Sequence, residues 1–531
     1  MGLEIDFFLK NAKVYDGEGG EPFEADIVIA GDRIASVPRP PARYKGKART
    51  TIEIEGLAVA PGFIDTHSHS EFTLLVDNRA EGKVLQGVTT EINGNCGLSA
   101  APLLDDALRQ READFEEMQI KERWNTFGEY FNILEARGIA INFASLVGHG
   151  NVRASVIGYD DRRPNKSEME RMCALLKEAV HEGAIGISTG LIYPPGVYSE
   201  TEELITLSKS VRDCIYATHM RSEGDELIES IEETLKIGKE AGIAVHVSHL
   251  KTGGRENWCK IDHVISDIEK ARKNGITVTA DRYPYTAAST DLDAVLPSWT
   301  YAGGAQEELR RLSDQQVRAQ IRREVLAQHP GREYWDSVTL SSLNGESRKW
   351  MEGETLSFIA NAVGKEPVDF LLDILLEERL RVGAIFHSMN EDNLKRFLSL
   401  PYTMIGSDSS ARSSDGPTCK GKPHPRGFGS FPRFIGRYSR DLKQMSISKA
   451  IHKITMLSAE TFGLKKRGRI KTGYLADLVV FDEEKIIDRS SFEDPFSKPE
   501  GIYFVFVNGS PAVWEGSQTV TMGGRVLRHG K

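Results

Sequence analysis

The sequence predicts an α/β chain: a (β/α)8 barrel, a small β-sandwich domain built from both chain ends, and a lid-like insertion between strands seven and eight. Three observations predict it. Short β-branched runs alternate with charged, helix-period stretches through the middle of the chain, the pattern of successive βα units. Both ends instead carry short alternating apolar runs divided by Gly and Asp turns. And 531 residues exceed the usual size of a single core, which favours one large domain with a smaller one attached.

Taken in order, "DFFLKNAKVYDG", "EADIVIAGDRIASV" and "TIEIEGLAVAPG" read as strands and place residues 1–61 in the sandwich. Residues 62–464 form the barrel. Its eight strand-like runs are "PGFIDTH", "GVTTEINGN", "INFASLVGHG", "AIGISTGL", "CIYATHM", "IAVHVSHL", "ITVTADRYP" and "YTMIGSD". Stretches such as "KSEMERMCALLKEAVHEG" and "GDELIESIEETLKIGKEAG" supply the helices between them. A ninth run, "RVGAIFHSM", has no slot in the barrel and falls to the insertion, about residues 287–390. Residues 465–531 return to the sandwich through "LADLVVFDEEKI", "IYFVFVNGSPAVWEG" and "QTVTMGGRVLRHG".

Composition narrows the function. A net charge of -10 argues against a nucleic-acid partner, and no apolar run reaches membrane-spanning length. The first twenty residues alternate like a strand and lack the cationic and apolar regions of a signal peptide. The five cysteines are irregularly spaced, with no CxxC pair to suggest a disulfide framework or a zinc ribbon. The expectation is a cytoplasmic enzyme acting on a small molecule, with the oligomeric state open.

In a barrel of this kind, side chains at the C-terminal strand ends converge on one mouth. His67 and His69 end the first run, Cys96 the second, His219 the fifth, His249 the sixth and Asp408 the eighth. Strand alternation puts His67 and His69 on the same side, where they can share an ion. Each residue alone has a plainer reading: Cys96 as a small buried apolar residue, Asp408 in "GSDSS" as a helix cap. Six metal-competent side chains at five strand ends point to a metal site. His246, three residues before His249, is expected on the opposite side as a packing residue. His149, after the third run, lies at the mouth and is a candidate to assist the site, while His387, in the surplus run, stays unassigned.

The motifs "APGFIDTHSHSE", "GVTTEINGNCGLSAAP", "GAIGISTGLIYPPG", "THMRSEGDE", "VSHLKTGG", "DRYPYTAAST", "MIGSDSS" and "HPRGFGSFPR" resemble the amidohydrolase superfamily, and more narrowly its N-acyl-D-amino-acid deacylases. The resemblance implies Zn2+ held by Cys96, His219 and His249. It implies a second, weaker site of His67, His69 and Asp408, with Cys96 able to bridge. Many binuclear relatives bridge through a carboxylated lysine on the fourth strand, and "AIGISTGL" has none. The resemblance further implies Asp408 as general base and acid. It gives substrate contacts to Lys251, Arg426, Tyr193, Tyr283 and Ser289, with Arg412 able to stand in for Arg426. The activity implied is hydrolysis of an N-acyl-D-amino acid to a carboxylate and a free D-amino acid. Three alternatives stand beside it: deamination, for which Glu223 is a possible acid–base residue, cyclic-amide hydrolysis as in dihydroorotases and hydantoinases, and a non-catalytic scaffold. Side-chain and acyl preference are not legible.

Overall fold

The computed structural model describes residues 4–530. All eight central runs are strands. They lie in two parallel sheets. One holds Phe63–Asp65, Val88–Asn93 and Asn142–Ser145, and the other holds Val147–Gly148, Gly186–Gly190, Ile215–His219, Ala244–Val247, Val278–Asp281 and Thr403–Met404. The third run is split at Leu146, so its first half pairs with the second strand and its last two residues with the fourth. At the other margin, Asp408 N–H donates to His67 O (2.8 Å), and Ser68 bridges Ser409 in parallel. Register sets the strand ends level, with Gly190 beside His219 and Asp281 beside Met404.

The helices between strands begin where the sequence supplies caps. Asn165 and Thr126 each form a reciprocal capping box with the Glu three residues on, starting Lys166–Glu182 and Phe127–Arg137. Leu227–Ala241 buries Leu227, Ile231, Thr234 and Ile237 at helical spacing and ends at the left-handed Gly242.

The two chain ends share one nine-stranded sheet. Ala58–Pro61 pairs in parallel with Phe7–Val14 and antiparallel with Leu478–Phe481, so it joins the first segment to the last. Leu9, Ile27, Val59, Leu478 and Phe506, drawn from both ends, fall in one apolar cluster. The insertion has its own antiparallel sheet of Ala288–Asp291, Gly383–Phe386 and Val338–Ser342, with Gly383–Phe386 in the centre. That central strand is the surplus run "RVGAIFHSM". Leu292, Leu312, Leu340, Leu371 and Leu375 form a separate core beneath it. Among the described residues no helix is long and apolar enough to cross a membrane.

Candidate metal centre

The six strand-end residues meet. The donor atoms of His67, His69, Cys96 and Asp408 all lie within 4.8 Å of one another, and so do those of Cys96, His219 and His249. Cys96 belongs to both groups. Its Sγ is 3.3 Å from His67 Nε2 and 3.5 Å from His249 Nε2. Asp408 Oδ1 lies 3.2 Å from His69 Nε2 and 3.4 Å from His67 Nε2. The His219 and His249 rings stand 4.4 Å apart, edge to face.

Backbone geometry explains how strand ends deliver these side chains. Cys96, His249 and Asp408 all occupy the left-handed region, with φ of 53°, 37° and 51°. Non-glycine residues rarely sit there, and such strain concentrates at functional sites. Each turn leaves strand alternation and aims its side chain at the shared centre. The Cys96 loop is pressed against the fourth strand: a Cβ on Gly190 would stand 2.1 Å from Cys96 O. That close approach requires a glycine.

The donor set fits zinc. Both ring nitrogens of His219 are buried without a hydrogen-bond partner. A buried imidazole so placed has lost its hydration without replacement, and a metal ion restores the lost interaction. One sulfur and two imidazoles form a set that Zn2+ favours. Electrostatics agree. Against burial, which raises it, the imidazoles of His67, His219 and His249 hold the Cys96 thiol well below its ordinary value, in the thiolate form. Against burial, Arg426, His67 and His69 likewise keep Asp408 a carboxylate.

Two buried acid clusters support these residues, and sequence reasoning assigned neither. Asp281, at the end of the seventh strand, accepts from His249 N–H (2.6 Å) and Thr66 Oγ1 (3.2 Å). It also lies 2.9 Å from His246 Nε2 and 3.5 Å from His67 Nδ1. His246 therefore joins the polar layer beneath the site instead of only packing. The strand ends at Val247, before alternation could carry His246 away from His249. Lys83, fully buried, pairs with Asp65 (2.7 Å) and Glu91 (3.0 Å). It also donates to Ser68 Oγ, Ser407 Oγ and Ser409 O, tying the loops that carry His69 and Asp408.

The expected substrate contacts divide. Arg426 lies at the centre, 2.8 Å from Asp408 Oδ2 and with its guanidinium 4.6 Å from the Tyr283 ring centroid. Lys251 is ion-paired with Glu223, and its Nζ is 2.8 Å from His249 Nδ1. Both cations are therefore engaged by carboxylates. Tyr193 packs edge-on to His219 at 5.0 Å, and its hydroxyl lies 3.0 Å from Thr290 Oγ1. Tyr283 is buried with an unpartnered hydroxyl. Against burial, Lys251, Arg282 and Arg426 lower its pKa, favouring the phenol as a strong donor. The Ser289 hydroxyl donates to Ala384 O (3.0 Å), and its carbonyl accepts from Arg426 (3.2 Å). Arg412 donates to Lys420 O (3.2 Å). His149 is 2.8 Å from Glu203, and His387 packs on Phe492; neither belongs to the donor groups.

The profile of the amidohydrolase family matches residues 50–513. A D-aminoacylase of Alcaligenes xylosoxydans xylosoxydans is 35% identical over 98% of this chain and 97% of its own length. A D-aminoacylase structure described with a binuclear metal centre superposes with a TM-score of 0.83 at 34% identity, covering 99% of this chain and 100% of that one. The N-acyl-D-glutamate deacylase of Bordetella bronchiseptica, solved with zinc and a phosphonate inhibitor, gives 0.82 at 31% identity, covering 99% and 100%.

Proposed function

The chain belongs to the amidohydrolase family, and from that premise we propose that it is a zinc-dependent deacylase. It cleaves the linear amide of an N-acyl-D-amino acid to a carboxylate and a free D-amino acid. The observation that carries this reading is Cys96 shared between two donor groups, in a chain whose fourth strand offers no lysine to bridge them. Cyclic-amide hydrolysis with a bridging lysine does not fit that arrangement. A scaffold has no use for a complete, strained and desolvated donor set.

Cys96, His219 and His249 would hold the tighter ion, and His67, His69 and Asp408, with Cys96, a weaker second one. Bound there, zinc supplies Lewis acidity, polarising an amide carbonyl and lowering the pKa of water toward roughly 7. Asp408 is the proton carrier. Its carboxylate takes the proton of the attacking water and returns it to the departing amine nitrogen. Arg426 keeps Asp408 ionised in the free enzyme and offers a fork for the substrate α-carboxylate, with Lys251 beside it. Each must loosen its present partner, Asp408 or Glu223, to do so. The Tyr283 hydroxyl is free to donate to substrate, and Tyr193 walls the His219 side. Ser289 contacts substrate beside Arg426, which donates to its carbonyl.

We read the two parallel sheets as arcs of one closed eight-stranded barrel over residues 62–464. The insertion of about 287–390 serves as a lid, and the end segments 1–61 and 465–531 as a folded-over sandwich. The hydrogen bonds between the first and eighth strand ends support closure.

Incubation with N-acetyl-D- and N-acetyl-L-amino acids, measuring free amine, tests the activity. Release from D forms only, lost on chelation and restored by zinc, is the expected result. Ammonia release from aminated heterocycles instead would replace this reading with a deaminase.

A further inference from the structure

His424 joins two stretches of chain that are far apart in sequence. Its Nε2 donates to Ala287 O (3.0 Å), and its Nδ1 accepts from the backbone N–H of Arg426 (3.0 Å). A carbonyl only accepts and a backbone amide only donates, so these two partners fix the tautomer. Burial and the nearby Arg426 guanidinium hold the ring well below its ordinary pKa, in the neutral form that this bonding requires. We propose that His424 is a positioning residue for Arg426: it ties the loop carrying that guanidinium to the root of the insertion, and so sets the fork that receives the substrate α-carboxylate. The inference rests on the deacylase reading and deepens it.

Three observations carry it. The ring has no room to turn: it is 4% exposed and stands edge-on to Tyr285 and Phe492, each with centroids 5.1 Å away. A second tie runs beside the first, since Arg426 Nη2 donates to Ser289 O (3.2 Å). Residues 424 and 426 are thus laced to 287 and 289, and the strand Ala288–Asp291 is itself held in register by Gly383–Phe386. Pro425, between the two, is fixed from the end segment, where Ser490 Oγ donates to its carbonyl (3.0 Å). The guanidinium set in this way reaches Asp408 Oδ2 at 2.8 Å and lies over the Tyr283 ring. A misplacement of about 1 Å in such a group is enough to cost substantial activity. The plainer reading is a local turn, because a side chain bonding the N–H two residues on is what Asn also does.

Asn and Gln each keep one half of the bridge. Asn reproduces the bond to Arg426 N–H and falls short of Ala287 O, while Gln extends toward Ala287 O and gives up the short turn. Kinetics use the N-acetyl-D-amino acid that the wild type cleaves fastest, beside its α-carboxamide, which lacks the charge. His424→Asn and His424→Gln should each raise KM for the acid about tenfold or more, with kcat and zinc Kd close to wild type. The preference for acid over carboxamide should shrink by the same factor. In an Arg426→Met background neither change should lower kcat/KM by more than about threefold further, since the residue being positioned is gone. A wild-type KM in either variant overturns the bridge, and one in His424→Asn reduces it to the local turn. A full additional loss on top of Arg426→Met also overturns it, as does a wild type that shows no preference for the acid. Should one variant not fold, the other decides alone by the same criteria. If the wild type cleaves N-acetyl-D-amino acids and the His424 variants match it, only this inference falls. If it cleaves none, the deacylase reading falls and takes the inference with it.

Discussion

Replacing Asp281 by Asn tests whether this buried carboxylate governs the metal centre from behind. Asn keeps the volume and can still accept from His249 N–H through one oxygen, the bond that helps hold His249 at φ 37°. The second oxygen becomes an amide NH2. It then faces Thr66 Oγ1 at 3.2 Å, His246 Nε2 at 2.9 Å and His67 Nδ1 at 3.5 Å, so donors meet donors. In the native protein Asp281 is firmly ionised, held down by His67 and His246 against burial. The substitution therefore removes charge-assisted bonding worth about 1.5–3 kcal/mol. It also frees the His67 ring from the carboxylate that orients it. Loss of such an outer partner typically weakens metal binding about 10–100-fold. Competition against a chromophoric chelator gives zinc Kd directly, and the thiolate-to-cobalt absorption of the Co2+-loaded protein reports on Cys96 and its neighbours. The expected result is a Kd raised by at least about tenfold with a shifted absorption band. An unchanged band and a Kd within about threefold of wild type would refute the orienting role.

Asp408→Asn should lower kcat about 10²–10⁴-fold while the protein still carries zinc, and activity close to wild type would remove Asp408 as proton carrier. Lys83→Met leaves Asp65 and Glu91 buried without their cation and should cost about 3–5 kcal/mol; a denaturant midpoint close to wild type would show that other groups neutralise them. Glu308 has its pKa raised from 4.5 to about 9 in the fold, so the native state binds more protons than the unfolded state across that interval. Wild-type stability should therefore fall as pH rises from about 4.5 toward 9, and Glu308→Gln should flatten that fall. Parallel thermal midpoints for the two proteins between pH 5 and 9 would exclude the effect.

The sequence made the strands and the six donor candidates legible for one reason. A strand end in a parallel sheet is where a polar residue closes a β-branched run, and that boundary survives in one dimension. His67, Cys96, His219, His249 and Asp408 all stand at such boundaries. Asp281 stands at one too, in "TADRYP", level with the ligands. Lys83 offered none. "AEGKVLQG" reads as an ordinary exposed turn of helix, and only the fold reveals that its ammonium is enclosed by carboxylates. Strand alternation does not relate His246 to His249, because the chain leaves the strand at Val247 to swing His249 inward. The bond from the Ser289 hydroxyl to Ala384 O depends on the strand paired beside it, Gly383–Phe386, which no local motif reveals. The engagement of Arg426 and Lys251 by Asp408 and Glu223 likewise depends on residues distant in sequence.

The strand Ala58–Pro61, which links the first and last segments, has a consequence for synthesis. Its partner Leu478–Phe481 leaves the ribosome roughly 400 residues later. At about 5–20 residues per second, that is a wait of roughly 20–80 s. During that time the apolar edge of the first five strands has no partner on the nascent chain. The central strands and helices emerge within that interval and must begin to organise beside an unsealed sheet edge. Emergence of Leu478–Phe481 then closes it. The two ends therefore cannot lock until that strand has been made, and a chain truncated ahead of Leu478 would present a ready template for strand pairing with another copy.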